Sequence, residues 1–435
     1  MRTPGGEFVP PDRPAPLEWD DARAAAHGVA APVPPRAVPL AAALGGVLAE
    51  PVRALVAIPP VDCSAMDGYA VCGEAPWTVV GSALAGGERA APLRPGTACE
   101  IATGAPVPAG TLAVLPYENS RRVGTLVTVV PGTGCGGSGH CDPGAGDPGA
   151  GGSGVGGPAQ AGKHVRRAGE ECAAGDEVLA PGGVLGPAAV GLAAALGHDH
   201  LLVRPMPRVC ALVTGDEVIE NGPPVSGRVR DAIGPMLPGL TAWAGGRFDG
   251  VTRLADSAPV LKAALAAAAD AELVLVSGSS SRGPADHLRP VLLSLGARLV
   301  VDGVRCRPGH PQAMARLPDG RLVVGLPGNP LAAFVAFLTL ALPAITGLRG
   351  LALAELPAAP APLAPDNGGR GERGGHGSGG QGGRHGKTRL VPVRVRGGAP
   401  VELAHAGSAM LRGLAAADAI AVVTPDGRTR LHPLP

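Results

Sequence analysis

Aromatic side chains are scarce: 3 Trp, 2 Tyr and 4 Phe, 2% of 435 residues. The stacking platforms that grip single-stranded nucleic acids need more rings than that. Net charge is missing too. Lys and Arg number 37 and Asp and Glu 36, a formal +1. Binding to nucleic acid through bulk positive charge is therefore excluded, although a local anion site is not. No CxxC pair occurs among the eight cysteines, at 63, 72, 99, 135, 141, 172, 210 and 306. Reduced, cytosolic thiols fit this scatter better than a disulfide framework. "CGGSGHC" (Cys135 to Cys141, with His140) lies in a glycine tract without a second ligand pair, so it reads as chance rather than as a metal clip. The N-terminus is polar and proline-rich, unlike a secretory leader. No stretch reads as long and uncharged enough to span a bilayer; "LKAALAAAADAELVLV" carries Lys262, Asp270 and Glu272 and suits a helix followed by a strand. The expectation is a cytoplasmic protein with neither membrane nor nucleic acid as partner.

Glycine (69) and proline (48) are abundant, together more than a quarter of the chain. Two tracts concentrate the glycine: 131–162, and 366–386. Neither holds enough apolar surface to offset its ordering entropy, so both read as mobile insertions. Between them the pattern changes several times. Short strands separated by turns, such as "GYAV", "WTVV" and "LVTVV", together with "ALVAI", imply an inserted β domain over 54–162. Alanine-rich segments with helical period flank it and suggest a helical stalk, over 18–53 and 163–200. From 201 to 350 apolar strands alternate with amphipathic helices, the pattern of a parallel sheet covered on both faces. In that stretch "RVRDAIGPMLPGLTAWAG" is a helix candidate. The tail, 351–435, reads as a small β domain. The fold class is thus α/β plus β and multidomain.

In an open α/β sheet, ligands bind at the carboxyl ends of the strands. "RLVVGLPGNPLAAF" places Gly325 and Gly328 at such an end. Asn329 suits an N-cap and Pro330 the first helical position. The helix start then points N–H groups and its positive dipole end at an oxyanion, although a well-capped helix without a ligand has the same sequence. Two more strand ends repeat the theme. "VSGSSSRGPAD" offers small residues from Ser277 to Ser281, a nest for an anion, and then Asp286. "VTGDE" offers Thr214, Asp216 and Glu217, carboxylates suited to Mg²⁺ or a polar ring beside phosphate. No Walker A sequence is present.

"SAMDGYAV", "TGAPVPAG", "VRRAGEE", "VTGDE", "SGSSSRGPAD", "RPGHP" and "GLPGNP" occur in an order and spacing that resemble the molybdopterin molybdenumtransferases, the MoeA and gephyrin E-domain type. The resemblance covers most of the chain from about Glu18. It implies a stalk, an inserted β domain, a three-layer α/β pterin-binding domain and a C-terminal β barrel. It also implies a homodimer whose active site lies between the α/β domain of one subunit and the β domain of the other. The implied reaction inserts molybdate into adenylylated molybdopterin with Mg²⁺ and releases AMP. The molybdopterin adenylyltransferase is an implied partner. Asp67, Glu217 and Asp286 take the places of catalytic carboxylates. Glu171, Glu217 and Asp231 take those of metal ligands. Thr214, Gly215, Asp216, Ser277, Gly278, Ser281, Arg289, Arg307, Pro308, Gly309, His310, Pro327, Gly328, Asn329 and Pro330 take those of substrate contacts. Departures from the family pattern are Ser279 for glycine, an added Arg282, Arg289 and His310 for lysines, and Ile233 for asparagine. They keep a second expectation open, a diverged pterin carrier with weak catalysis or none.

Overall fold

The computed structural model describes residues 15–130, 160–278, 286–364 and 386–435. Both glycine tracts fall almost wholly outside these residues, as does the Cys135 to Cys141 clip.

Alternate apolar residues in successive strands separate onto two faces, as a period of two requires. These strands are β1 (Arg208–Thr214), β2 (Arg247–Leu254), β3 (Leu273–Ser277), β4 (Arg298–Asp302), β5 (Ala313–Arg316) and β6 (Leu322–Leu326). They form one sheet in the order β2-β1-β3-β6-β5-β4. Val209, Leu273, Leu275, Leu322 and Val324 turn to one face and join a core with α1 (Trp19–Gly28), α2 (Leu237–Trp243), α5 (Pro330–Ala336) and α6 (Leu342–Leu348). Leu212, Val274, Val276 and Val323 turn to the other face and meet α3 (Ala258–Ala267) and α4 (Leu288–Ser294). The result is three layers.

The sheet is not wholly parallel. β2, β1, β3 and β6 run parallel, but β5 runs antiparallel to both its neighbours, β6 and β4. β5 returns to β6 through the turn Leu317 to Arg321, closed by the Leu317 N–H donating to the Arg321 carbonyl at 2.9 Å. Five residues cannot carry a crossover helix, so the pair must be a hairpin. The helix expected over 228–245 is confined to α2, preceded by a two-residue strand and a 3-10 turn. Pro235 and Pro238 restrict where it starts.

The expected stalk is mostly not helical. α1 packs into the α/β core, where its Trp19 Nε1–H donates to Thr339 Oγ1 at 2.9 Å. Beyond it, Arg36–Pro39 and Val47–Leu48 flank His200–Arg204 in a three-stranded antiparallel sheet, and Val52–Arg53 pairs with Glu177–Leu179. Pro32, Pro34, Pro35 and Pro39 interrupt the alanine-rich stretch and remove the N–H groups a helix needs. The six-stranded β sheet between Gly68 and Val129 is inserted between these pairings. "ALVAI" makes only an isolated bridge, Ile58 to Cys172.

The C-terminal strands make an open sheet instead of a barrel. Thr388–Arg396 lies between Ala419–Val423 on one side and Ala399–Glu402 and Cys306–Arg307 on the other, and Thr429–Pro433 forms an edge. No ladder closes it among the described residues.

Pro330–Leu348 corrects one expectation. It is a helix of 19 residues with mean hydropathy 2.2, long and apolar enough to cross a membrane by length and composition. In this fold 89% of that segment is buried, so its apolar surface is already covered by the sheet and α1.

Candidate active site

Three strands end side by side. Val213 in β1 lies opposite Ser277 in β3, and Ser277 opposite Leu326 in β6. The next residues of each strand therefore emerge on one rim. Thr214 Oγ1 donates to the Ser277 carbonyl at 2.9 Å, and the Gly278 N–H donates to the Leu326 carbonyl at 3.4 Å. Gly278 is obligatory there. Its φ is +94°, and a Cβ would stand 2.5 Å from the Thr214 carbonyl oxygen and 2.7 Å from Thr214 Oγ1. A Cβ on Gly328 would lie 3.8 Å from the Gly278 Cα. Thr214, Ser277, Gly278 and Gly328 thus meet, the first two buried and the two glycines exposed. Gly215 continues this backbone at φ +134°, packed on Val218 and Glu217. Ser281, with Ser279 and Arg282, lies outside the described residues.

The carboxylates divide into free and engaged. Asp216 and Glu217 are exposed at the end of β1. Asp216 exchanges hydrogen bonds with Asp256 through their backbone N–H groups and carboxylates, at 3.2 and 3.4 Å. Asp231 is buried. Its Oδ1 accepts from the Ile233 and Gly234 N–H groups, and its Oδ2 pairs with Arg253 at 2.9 Å. That structural role occupies both oxygens. Glu171 is exposed beside Ile58, its N–H bonded to the Ile58 carbonyl. Glu171, Glu217 and Asp231 are not brought together: among the described residues no three His, Cys, Asp or Glu side chains gather as a metal site.

Arg289, expected to touch substrate, is 5% exposed and turned inward. It pairs with Asp302 through Nε and with Asp286 at 2.9 Å. A guanidinium fork satisfies two carboxylates at once, which an ammonium could not do with the same geometry. Asp286 Oδ1 is buried without a hydrogen-bond partner. Burial pushes the Asp286 carboxyl above its ordinary range, and Arg289 opposes that shift. Arg289 is thus a positioning residue for Asp286.

"GLPGNP" begins α5 as expected, but the start is shared. Asn329 occupies the N-cap position without a side-chain cap bond; its Nδ2 lies 3.4 Å from Ser408 Oγ. The Ala332 N–H donates to the Ser408 carbonyl at 3.2 Å. Pro327 is buried, while Gly328 and Asn329 face outward. The "RPGHP" turn rests on the same helix. A Cβ on Gly309 would stand 3.2 Å from Val335 Cγ1 and 3.3 Å from the Ala332 carbonyl. His310 is bonded through Nδ1 to the Val304 carbonyl at 2.6 Å, so a neutral ring keeps its proton there and presents Nε2 as an acceptor. Arg307 is exposed, and Pro308 follows it through a cis peptide.

Asp67 sits on the inserted sheet. Its Oδ1 accepts the Thr103 N–H at 2.6 Å and the Thr103 hydroxyl at 3.0 Å. These two bonds, the backbone one first, hold its carboxyl below the usual range although it is fully exposed. It bonds no residue of the α/β unit among the described residues. Beside it, the Tyr117 hydroxyl donates to Glu100 at 2.8 Å, Arg122 pairs with the same carboxylate at 2.9 Å, and Tyr117 packs edge-on against Tyr69. Burial and the Glu100 contact raise the Tyr117 phenol to about 12, so it stays a hydrogen-bond donor. Thr103, Asp302 and Ser408 had not been singled out from the sequence. Thr103 lies within the quoted "TGAPVPAG"; nothing local marks the other two.

Comparison with known proteins agrees with this architecture. Residues 17–197 match the MoeA N-terminal region (domain I and II), and residues 210–347 match a probable molybdopterin binding domain. Molybdopterin molybdenumtransferase 2 of Mycobacterium tuberculosis (strain H37Rv) is 33% identical over 319 residues, 69% of this chain and 72% of that protein. Molybdopterin molybdenumtransferase of Nostoc sp. PCC 7120 is 31% identical over 314 residues, 68% of this chain and 66% of that one. Among solved structures, the molybdopterin biosynthesis MoeA protein of Pyrococcus horikoshii superposes with a TM-score of 0.64 at 22% identity, covering 97% of this chain and 98% of its own. That likeness shows the fold, and the sequence matches show the family: this chain belongs to the molybdopterin molybdenumtransferases of molybdenum cofactor biosynthesis.

Proposed function

We propose that this transferase inserts molybdate into adenylylated molybdopterin with release of AMP, in the cytoplasm, as a homodimer supplied by the molybdopterin adenylyltransferase. One observation supports the reading: Gly278 and Gly328 are exposed side by side on one rim of the sheet, over the buried Thr214 and Ser277, with bulk removed. Such a rim suits a phosphorylated heterocycle, whose oxygens accept from backbone N–H groups.

Mg²⁺ fits one member of the expected ligand set, Glu217, with Asp216 beside it. Asp216 and Glu217 are exposed at the rim, and Mg²⁺ commonly takes one or two carboxylates together with substrate phosphates and water. Asp231 does not fit, since both its oxygens are engaged. When bound, the ion would neutralise phosphate charge. The chain's own residues do the rest. Gly278 and Gly328 allow the backbone to approach the substrate. Arg289 fixes Asp286 just before α4. Asp67, held ionised by Thr103, supplies an exposed carboxylate from the inserted sheet; in the dimer it would serve the partner's rim.

The test mixes purified protein with adenylylated molybdopterin, Mg²⁺ and molybdate and measures AMP. Release that Asp67→Asn abolishes, with pterin binding retained, supports the enzyme. Tight pterin binding without AMP selects a carrier instead, and failure to bind any pterin refutes both.

A further inference from the structure

A second cluster of charge lies away from the rim, where α1 meets the C-terminal sheet. Arg23, on the inner face of α1, is 5% exposed. Its guanidinium stacks over Trp19, 4.8 Å from the ring centroid. No hydrogen bond or ion pair reaches it among the described residues, and its Nε is buried without a partner. Arg430 approaches the same ring, at 5.7 Å, and pairs with Asp20 at 2.7 Å. The one carboxylate beside the two guanidinium groups is thus paired with Arg430. Glu355 is exposed and makes no ion pair among the described residues. His432, two residues beyond Arg430, is 3% exposed and leaves Nε2 without a partner, so it adds no negative charge. Arg23, Arg430, Asp20 and residues 353–356 enclose a cavity of about 370 Å³. Asp20 and Arg430 also line an adjoining cavity of about 550 Å³.

A charge this deeply buried is costly unless paired. Stacking on one indole offsets only part of that cost. The remedy a cleft between two guanidinium groups provides is an anion, and the planar forks match oxyanion geometry. We propose that Arg23 and Arg430 form a second oxyanion site, separate from the sheet rim, which takes a tetrahedral inorganic oxyanion of the phosphate or molybdate class. The site does not depend on the reaction assigned to the rim. The anion completes the junction between α1 and the C-terminal sheet by giving Arg23 the charged partner that neither Asp20 nor Glu355 provides among the described residues.

Calorimetric titration of the full chain at constant ionic strength tests this, with inorganic phosphate in one arm and molybdate in the other. The variant is Arg23→Met, which keeps the stem and removes the charge. The expected result is one fewer bound equivalent, or affinity for that equivalent reduced by about tenfold or more, as loss of a charge-assisted bond predicts. Whichever arm shows the loss identifies the anion. Without added oxyanion, Arg23→Met should melt no lower than the parent, because it removes an unpaired buried charge. If Arg23→Met fails to fold, Arg430→Gln is titrated in its place with the same expectation. Unchanged stoichiometry and affinity in both arms overturn the proposal. It is also overturned if the parent binds nothing at the cleft while Glu355→Gln gains an equivalent, since the chain's own carboxylate would then fill the site.

Discussion

Substituting Gly278 by alanine tests the rim directly. Two costs follow from its position. At φ +94° an L-residue is strained, by ~1–2 kcal/mol on the handedness scale. The added methyl would also stand 2.5 Å from the Thr214 carbonyl oxygen and 2.7 Å from its hydroxyl. Neither atom is the tip of a flexible chain, so β1 and β3 must part, and overpacking of this kind costs ~1–3 kcal/mol. The total is about 2–5 kcal/mol. Gly182→Ala provides the control. That glycine has φ +85° and nothing within 4 Å of its would-be Cβ, so it carries only the first cost. Urea denaturation of both variants separates the terms, and the difference should be about 1–3 kcal/mol. Binding of adenylylated molybdopterin should fall in Gly278→Ala and not in Gly182→Ala. Equal destabilisation of the two, with binding undiminished in Gly278→Ala, would refute the idea that this close backbone approach forms the grip.

Arg289→Met should destabilise by about 3–5 kcal/mol, because Asp286 and Asp302 are left buried without their cation; denaturant midpoints check it, and the double variant with Asp302→Asn should recover part of the loss. His432 supplies the pH dependence. Burial lowers its imidazole from 6.5 to about 4, with Arg23 adding to the shift. The unfolded chain therefore binds a proton that the folded chain refuses, so stability is full above pH 6.5 and falls as pH drops toward about 4, by about 3 kcal/mol in all. His432→Phe should flatten urea midpoints across that window, and an unchanged slope would assign the acid lability elsewhere.

The layered unit was legible because its strands are short, apolar and bounded by turn residues. Where the reading failed, composition had stood in for pattern. Alanine between 20 and 50 suggested helix, yet four prolines cut that stretch and its backbone pairs with residues over 150 positions away. The missed strand Ala313–Arg316 is too short to announce itself. The uncharged 330–348 segment is of bilayer length, and only its burial in the fold marks it as a core helix. Site residues that rest on local geometry were readable: Gly278 and Gly328 are where a strand must turn without bulk. Residues that rest on distant partners were not. Arg289 reads as a substrate contact by resemblance; only the fold brings Asp302 to its Nε. Ser408 has no local signature, being 76 positions from the Ala332 N–H it accepts.

The Ser408 contact changes how the helix start at "GLPGNP" can work. Pro330 has no N–H to offer. The Ala332 N–H is taken by Ser408 and the Ala333 N–H by the Asn329 carbonyl. Of the first-turn donors before Ala333, only the Leu331 N–H is left for a ligand among the described residues. The dipole remains, but since the Gly278 N–H is bonded to the Leu326 carbonyl, most of the hydrogen bonding to a phosphate then falls to the backbone at Gly328 and the Leu331 N–H. Asn329→Asp discriminates between a site that grips an anion and a helix that is merely capped. An aspartate at this position favours the helix, through a charged cap and the dipole, by ~1 kcal/mol. The same carboxylate repels phosphate across the rim. Stability and pterin affinity should therefore move in opposite directions, the midpoint up and the affinity down about tenfold, equivalent to ~1.4 kcal/mol. If affinity holds while stability rises, the turn is a cap alone and the phosphate lies elsewhere.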